Sequence, residues 1–270
     1  MKIATWNVNG IRARHEQFVA WTAAEQPDVI CLQEIKARLD QIPQTCSVEG
    51  YTCYWHGAGG YSGVALHVRT GFAEKPEFTH PSFDTETRIV QAQIEDTVFT
   101  SVYVPNGGKD FEAKMAFIHS LVEYAAEVRA KGLKLVLCGD MNIARTEMDV
   151  HPKERKPRSI GQLPVERELL EQLIAEGGLV DVGRMLYPDD ANYFSWWAPW
   201  RQMRERNIGW RLDYVLPSRP LAEKATSCDS VREFGTSDHA PVTAVFDLPL
   251  ERTAVPEEPK PAPAGQIPLF

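Results

Sequence analysis

Polar residues that suit catalysis stand at the ends of apolar runs in this sequence. The run 135–138 is followed by Asp140 and Asn142, an earlier run is followed by Glu34, and His239 precedes the last one. Side chains at the ends of strands are held rigidly, as an active site requires. One such residue usually only solvates a loop, but the arrangement recurs six times along the chain. The repetition predicts that these strand ends meet at one site.

The recurring residues are mainly carboxylates and amides, with one tyrosine and one histidine. They are Asn7, Glu34, Tyr103, Asn106, Asp140, Asn142, Asp213, Asp238 and His239. Carboxylates that lie close together repel one another unless a cation neutralises them. Mg²⁺ and Mn²⁺ prefer oxygen ligands of this kind, whereas zinc sites are built mainly from nitrogen and sulfur. We therefore expect bound Mg²⁺, for which Mn²⁺ should substitute, and metal-assisted hydrolysis of a phosphate ester.

The elements that position these residues are a mixture of strands and helices. Runs rich in β-branched and aromatic residues predict strands, and apolar residues at three- and four-residue steps predict helices. The strand-like runs are 3–6, 29–32, 63–68, 88–94, 98–104, 133–138, 212–216 and 241–246, and the helical stretches are about 15–25, 110–130 and 164–176. No repeat or linker interrupts this order, which indicates one α/β domain with several antiparallel strand neighbours, ending near residue 250.

Composition and charge limit the class of protein. The sequence shows neither a secretory leader nor an apolar run of about 18 residues, so we expect a cytoplasmic protein without a membrane span. Five cysteines without a CxxC pair argue against a disulfide framework or a zinc site. The net charge of −8 argues against a polyanionic partner, but basic residues cluster in the segments 153–158 and 201–211. Basic loops beside an acidic metal centre suit a clamp on DNA phosphates, and Arg201 begins the second of them.

Six motifs closely resemble the exonuclease III family, the apurinic/apyrimidinic (AP) endonucleases of the endonuclease/exonuclease/phosphatase superfamily. The motifs are WNVNGIR (6–12), LQEIK (32–36), YVPN (103–106), GDMNIA (139–144), GWRLDY (209–214) and SDHAP (237–241). They follow the family order from residue 1 to about 248. The resemblance implies a catalytic domain over 1–250, folded as a four-layered αββα sandwich of two packed mixed sheets flanked by helices.

The resemblance also implies roles for residues at the strand ends. Glu34 is expected to be the principal Mg²⁺ ligand, with Asn7 and Asp238 close by. Asp140 is expected to orient and deprotonate the attacking water, while Asn142 fixes the direction of attack.

A second group of residues is expected to bind the phosphate. His239 contacts the scissile phosphate as a donor or acts as the base, and Asp213 holds its imidazole ring. The sequence does not distinguish Asp140 from His239 as the base, nor one metal from two. Tyr103 and Asn106 bind phosphate oxygens, where charge collects in the transition state.

The tryptophan-rich segment FSWWAPW (194–200) and Trp210 are expected to select the substrate. The resemblance places Trp196, Trp210 and Leu212 in a small apolar pocket that admits a flipped sugar without its base. Trp200 is expected to enter the DNA groove, and Lys109 to contact the DNA backbone. Trp197 is interpreted as a core residue.

The expected function is that of an AP endonuclease. Such an enzyme acts on double-stranded DNA with abasic sites or blocked 3′ ends. It is also expected to have 3′-repair phosphodiesterase, 3′-phosphatase and 3′→5′ exonuclease activities. One alternative is a nonspecific nuclease or phosphoesterase of the same superfamily, and another is a non-catalytic module that binds DNA or a clamp. No apolar surface in the pattern suggests a dimer, so a monomer is expected.

The composition changes after residue 250. Residues 251–265 are rich in Pro, Ala and Glu and have no buried-face pattern, which predicts a disordered, extended tether. The closing pentapeptide QIPLF (266–270) resembles the peptide by which bacterial proteins bind the sliding clamp. In that interpretation Leu269 and Phe270 enter an apolar groove, and Gln266 hydrogen-bonds at its rim.

Overall fold

Two mixed β-sheets form the centre of the molecule. The computed structural model describes residues 1–248, and the predicted tether (251–265) and pentapeptide (266–270) lie outside the described residues. The strands are β1 (Lys2–Asn7), β2 (Val29–Gln33), β3 (Tyr51–His56), β4 (Val64–Arg69), β5 (Glu77–Thr79), β6 (Ile89–Ile94), β7 (Thr97–Tyr103), β8 (Lys134–Asp140), β9 (Asp213–Pro217), β10 (Ala225–Ser230) and β11 (Val242–Phe246). The helices are α1 (Ile11–Glu25), α2 (Phe111–Ala130), α3 (Pro164–Gly177), α4 (Val182–Leu186) and α5 (Arg219–Ala222).

The first sheet has the strand order β10-β11-β1-β2-β4-β3, and the second has the order β5-β6-β7-β8-β9. Most neighbours are antiparallel, but β1 and β2 are parallel, and so are β7 and β8. The sheets pack face to face, with α1 on the outer face of the first and α2 and α3 on the outer face of the second. This arrangement confirms the predicted αββα sandwich.

The alternation of side chains along the strands explains the layers. In β8, Val136 and Cys138 face the first sheet, whereas Leu135 and Leu137 face α2 and α3. Both faces of this strand are buried, which is why its sequence reads as a continuous apolar run rather than an alternating one. Within residues 1–248, no helix combines the length and the apolar character that a membrane span requires.

The tight glycine in the GDMNIA motif lets two central strands approach closely. Gly139 has φ +151°, and a Cβ atom there would lie 1.8 Å from the carbonyl oxygen of Val102 on β7. Only glycine fits such a position. The next pair in the register is Tyr103 and Asp140, so the two strands end side by side at the same edge of the second sheet.

Some elements differ from the sequence prediction. Helix α1 begins at Ile11 rather than near residue 15, and strands β3, β5 and β10 were not predicted. β3 and β10 lie at the two edges of the first sheet; β3 is half-buried along its whole length, β10 is rich in polar residues, and β5 has only three residues. Edge strands that are half exposed lack the apolar pattern on which the prediction rests.

A buried histidine in β4 should make the fold sensitive to acid. His67 packs between the rings of Phe18 and Trp55, and burial lowers its pKa to about 4, although the carbonyl of Cys46 opposes this shift. The folded-state pKa lies below the unfolded value of 6.5, so the unfolded state binds the extra proton. The contribution of neutral His67 to the free energy of unfolding is therefore complete above the pKa of the unfolded state, and it is lost as the pH falls below that pKa.

We expect the wild-type protein to lose roughly 2 kcal/mol of unfolding free energy between pH 7.5 and pH 5 from His67 alone. His67→Leu removes the titrating group and should reduce this loss by most of that amount. Urea denaturation at the two pH values measures the effect. Equal losses in the two proteins would contradict the assignment.

Candidate active site

A cavity of about 340 Å³ opens at the edge where β1, β2, β7 and β8 end. Its walls come from segments that are far apart in the sequence. They consist of Glu34, Tyr103, Asn106, Asn142, Ile160, Gly161, Trp196, Trp210, Leu212, Asp238 and His239. All of these except Ile160 and Gly161 are predicted site residues. The structure thus brings the predicted strand ends together.

A charged triad lies at one side of the cavity. The Nδ1 atom of His239 is 2.8 Å from the Asp213 carboxylate, and its Nε2 atom is 3.8 Å from the Asp140 carboxylate. Burial disfavours charge on the imidazole, but Asp213 and Asp140 outweigh this effect and raise the pKa of His239 to about 10. The ring therefore carries a positive charge at neutral pH. Ser195 donates from its hydroxyl to Asp213 and completes the support of the triad.

Asp140 lies beneath the cavity floor and is almost fully buried. Burial raises the pKa of Asp140 to about 7, with further increases from Asp213 and Glu34 and an opposing effect from His239. The carboxylate accepts hydrogen bonds from the backbone N–H of Asn142 at 2.8 Å and from the side chain of Asn7 at 2.9 Å. A carboxylate whose pKa lies near neutrality is suited to accept a proton from water.

Asn142 is held from several directions. Its backbone has φ +51°, a left-handed conformation that asparagine tolerates better than most residues. Its side-chain nitrogen donates to the carbonyl of Val104 at 2.8 Å, and its side-chain oxygen accepts from Asn106 at 3.2 Å. Two amides are therefore linked at the wall of the cavity beside the Asp140 carboxylate.

Oxygen atoms and one ammonium group meet at the other side of the cavity. Lys36 places its Nζ atom 2.5 Å from Glu34 Oε2 and 2.6 Å from Asn9 Oδ1, while Asn9 Nδ2 donates to Asp238 at 2.7 Å. Burial raises the pKa of Glu34, but hydrogen bonds from Lys36 and Asn7 outweigh it, so the pKa is lowered. Both carboxylates of this group remain ionised at neutral pH, since the pKa of Asp238 is also lowered, by His239 and Trp196 against the effect of burial.

Known proteins are similar to this chain in sequence. The model of the endonuclease/exonuclease/phosphatase family matches residues 4–239. The exodeoxyribonuclease of Bacillus subtilis is 33% identical over 262 residues, covering 92% of this chain and 100% of that protein. The DNA repair nuclease APEX1 of Danio rerio is 35% identical over 258 residues, covering 90% of this chain and 81% of that protein.

A solved structure agrees with the sequence comparison. The AP endonuclease from Archaeoglobus fulgidus superposes with a TM-score of 0.83 at 30% identity, covering 92% of this chain and 100% of that one. The chain belongs to the exonuclease III/AP endonuclease family. The resemblance inferred from the six motifs is therefore confirmed, and so is the fold that it implied.

The exonuclease III/AP endonuclease family is metal-dependent, and the oxygen donors beside the cavity suit a divalent cation. Glu34, Asp238 and Asn9 supply only oxygen donors, which is the set that Mg²⁺ prefers. The Lys36 ammonium lies between Glu34 and Asn9, so the oxygen atoms of this group already bind one positive charge. Asp140, Asp213 and His239 also cluster, but an imidazolium held between two carboxylates has no free lone pair for a metal.

Two asparagines lie beside the proposed cation site. Asn7 was expected close to Glu34, and its amide nitrogen donates to Glu34 and to Asp140, while its oxygen accepts from the backbone N–H of Asn9. Asn7 therefore holds two carboxylates together across the sheets. Asn9 was not predicted, although its place in the WNVNGIR motif, two residues after Asn7, was the available signal. Ser195 was also missed, and no sequence pattern marks it.

The apolar pocket forms as the motifs predicted. The rings of Trp196 and Trp210 meet edge to face at 5.6 Å, and Leu212 packs against both. The indole N–H of Trp196 donates to Asp238 at 3.0 Å, which ties the pocket to the acidic group. Trp197 is buried in a neighbouring core cluster, in agreement with its interpretation as a core residue.

The residues expected to contact DNA outside the cavity are exposed. Trp200 is 59% exposed, and Lys109 and Arg201 lie on the surface. In the basic segment 201–211, by contrast, two arginines are bound to groups of the protein itself. Arg211 is buried in ion pairs with Asp149 and Asp181, and Arg204 donates to backbone carbonyls of residues 232–237. These two of the four arginines in the segment therefore do not face DNA, which narrows the predicted basic clamp.

Proposed function

We propose that this chain is a Mg²⁺-dependent AP endonuclease of base-excision repair. It hydrolyses the phosphodiester 5′ to an abasic site and leaves a 3′-hydroxyl and a 5′-deoxyribose phosphate. The observation that carries the proposal is the shared cavity, in which the ionised groups Glu34, Asp238 and His239 face the apolar wall of Trp196, Trp210 and Leu212. The names of the relatives, an exodeoxyribonuclease, a DNA repair nuclease and an AP endonuclease, support it.

The positions and protonation states of the charged groups support a different role for each of them. Asp140 takes the proton of the attacking water, since its pKa lies near 7, whereas His239 keeps its own proton until about pH 10. Asn142 orients that water through its contact with the Asp140 carboxylate. His239 then serves as a charged donor to a phosphate oxygen.

Further residues act on the phosphate. Tyr103 keeps its proton because burial and then the Glu34 carboxylate raise its pKa, so its hydroxyl can donate to a phosphate oxygen. Asn106 presents a second donor on the same wall. A Mg²⁺ ion held by Glu34, Asp238 and Asn9 would supply positive charge that stabilises the phosphate and the leaving oxygen.

Substrate choice follows from the size and polarity of the pocket. The wall of Trp196, Trp210 and Leu212 offers apolar contact to a flipped sugar. Of its two indole N–H groups, that of Trp196 is bound to Asp238 and that of Trp210 is buried, so neither is presented to a base. A duplex with an abasic site also costs less to distort, because the flipped nucleotide has no base to unpair. Blocked 3′ ends can reach the same cavity, so 3′-phosphatase, 3′-phosphodiesterase and 3′→5′ exonuclease activities are expected beside incision.

One assay tests the function. Purified protein is incubated with a duplex that carries a single tetrahydrofuran abasic analogue, in Mg²⁺, in Mn²⁺ and in EDTA. An undamaged duplex, a 3′-phosphorylated nick and a soluble phosphoester are run in parallel. We expect incision 5′ to the analogue with either metal and none in EDTA. Faster turnover of the phosphoester or equal cutting of undamaged DNA would favour a nonspecific phosphoesterase or nuclease, and binding without cleavage would favour a non-catalytic module.

We also propose that the pentapeptide QIPLF ties the enzyme to a bacterial sliding clamp. The support is the sequence alone, in which Gln266, Leu269 and Phe270 stand at the spacing of an extended peptide that enters a groove. A pull-down with immobilised clamp should retain the full chain and lose a chain that ends at Pro263. Equal retention of the two would remove the proposal.

A further inference from the structure

A fully buried ion pair lies directly behind the wall of the cavity. Lys114 on α2 and Glu166 on α3 place Nζ and Oε1 2.5 Å apart, and neither side chain is exposed to solvent. Burying two charges costs several kcal/mol for each ion, and a well-packed apolar pair is often equally stable. Stability alone therefore does not account for this pair.

The contacts of Lys114 lead to two residues of the cavity wall. Its ammonium donates to the backbone carbonyl of Asn142 at 2.8 Å and to that of Asn106 at 3.3 Å, and it forms the ion pair with Glu166. Burial lowers the pKa of Lys114, and Glu166 and Asp140 act in the opposite direction.

Glu166 holds a third segment of the cavity wall in place. Its Oε2 atom accepts from the backbone N–H groups of Gly161 at 2.6 Å and Leu163 at 3.0 Å. Gly161 lines the cavity together with Asn106 and Asn142. One ion pair therefore fixes the main chain of all three segments, which come from different parts of the sequence.

The loop after Asn106 is packed against the lysine without spare room. Gly107 has φ +85°, and a Cβ atom there would lie 2.7 Å from Cδ of Lys114. Asn142 itself has a left-handed backbone, which persists only where its surroundings hold it. The carbonyl contacts from Lys114 supply that restraint from behind, while the two amide side chains face the cavity.

We propose that Lys114 and Glu166 are positioning residues: their ion pair sets the backbone of Asn106, Asn142 and Gly161 so that the two amides meet the phosphate and the attacking water. The inference rests on the proposed function, because it assigns those amides to substrate. A displacement of about 1 Å in such groups lowers turnover by up to about 10²-fold. The expected result of breaking the pair is therefore a loss in kcat.

The test uses the double variant Lys114→Met/Glu166→Gln. Lys114→Met alone leaves a buried carboxylate without its partner and is expected to fold poorly. The double variant carries no charge at these two positions, keeps an acceptor for the Gly161 N–H, and removes the ion pair together with the contacts to the two carbonyls. The control is Lys131→Met/Glu127→Gln, which removes an exposed ion pair at the C-terminal end of the same helix.

We expect the double variant to unfold within a few degrees of wild type and to lose about 10- to 100-fold in kcat, with KM changed less than threefold. The control should match wild type in both respects. Turnover is measured well below the unfolding temperature, so that all molecules are folded. A folded double variant with wild-type kcat would show that the pair is only structural and would overturn the proposal.

The wild-type protein separates this outcome from a failure of the proposed function. Kinetics are measured on the tetrahydrofuran duplex, a 3′-phosphorylated nick and a soluble phosphodiester, and the comparison uses whichever of them wild type turns over fastest. A preference of wild type for another substrate would refute the AP endonuclease assignment. The ratio of the double variant to wild type would still decide the role of the pair.

Discussion

Replacement of Asp140 by asparagine is expected to lower kcat for abasic-duplex incision by about 10³- to 10⁴-fold. The amide cannot accept a proton from water, and the pKa near 7 that suits the carboxylate to this task is lost. Asparagine has nearly the same shape and can still accept from the backbone N–H of Asn142 through its oxygen, although its amide nitrogen cannot accept from Asn7 as the second carboxylate oxygen does. Binding of the duplex should therefore remain within a few-fold of wild type.

Single-turnover cleavage and fluorescence anisotropy measure the two effects separately. Asp96→Asn is a matched control, because Asp96 pairs with Lys134 at the opposite end of β8 and is far from the cavity. The control should cleave at the wild-type rate. Turnover by Asp140→Asn within tenfold of wild type would refute its role as the base and would leave His239 as the remaining candidate.

Replacement of His239 by glutamine is expected to lower kcat by about 10²- to 10³-fold. Glutamine can still donate a hydrogen bond to a phosphate oxygen, but it carries no positive charge. The substitution also leaves the buried carboxylates of Asp213 and Asp140 without the cation between them, so stability should fall by about 3 kcal/mol or more.

Both quantities are measurable on one preparation. Urea denaturation establishes the fraction of folded protein, and cleavage kinetics are then compared at equal folded concentration. His119→Gln on the exposed face of α2 provides a control with the same chemical change. A folded His239→Gln protein with less than a tenfold loss in kcat would contradict the assignment of His239 as a charged donor to phosphate.

The sequence predicted the site well because its residues terminate strongly apolar strands. Asp140 follows a run that is buried on both faces, and Glu34 follows the parallel strand β2, so position in the chain implies position at a sheet edge. Parallel neighbours end at the same edge, which brings Tyr103 beside Asp140. The prediction thus depended on backbone geometry, which the pattern of apolar residues encodes.

What the sequence did not predict depends on side-chain partners. Lys114 lies within an amphipathic helix, where a lysine is ordinarily placed on the solvent face, and only the distant Glu166 explains its burial. Arg211 was placed on a DNA-binding loop for the same reason, although Asp149 and Asp181 hold it inside. A single sequence does not reveal such pairs, because their members are far apart along the chain.

The close approach of β7 and β8 at Gly139 sets a distance within the proposed active site. Tyr103 and Asp140 are neighbours in a parallel register, so the separation of their main chains derives from the interstrand repeat of about 4.8 Å. A side chain at position 139 would collide with the backbone of Val102, so this approach depends on glycine. The main chain therefore sets the distance between the proposed phosphate-binding and water-activating residues, whereas the proposed pocket residues Trp196, Trp210 and Leu212 lie in loops.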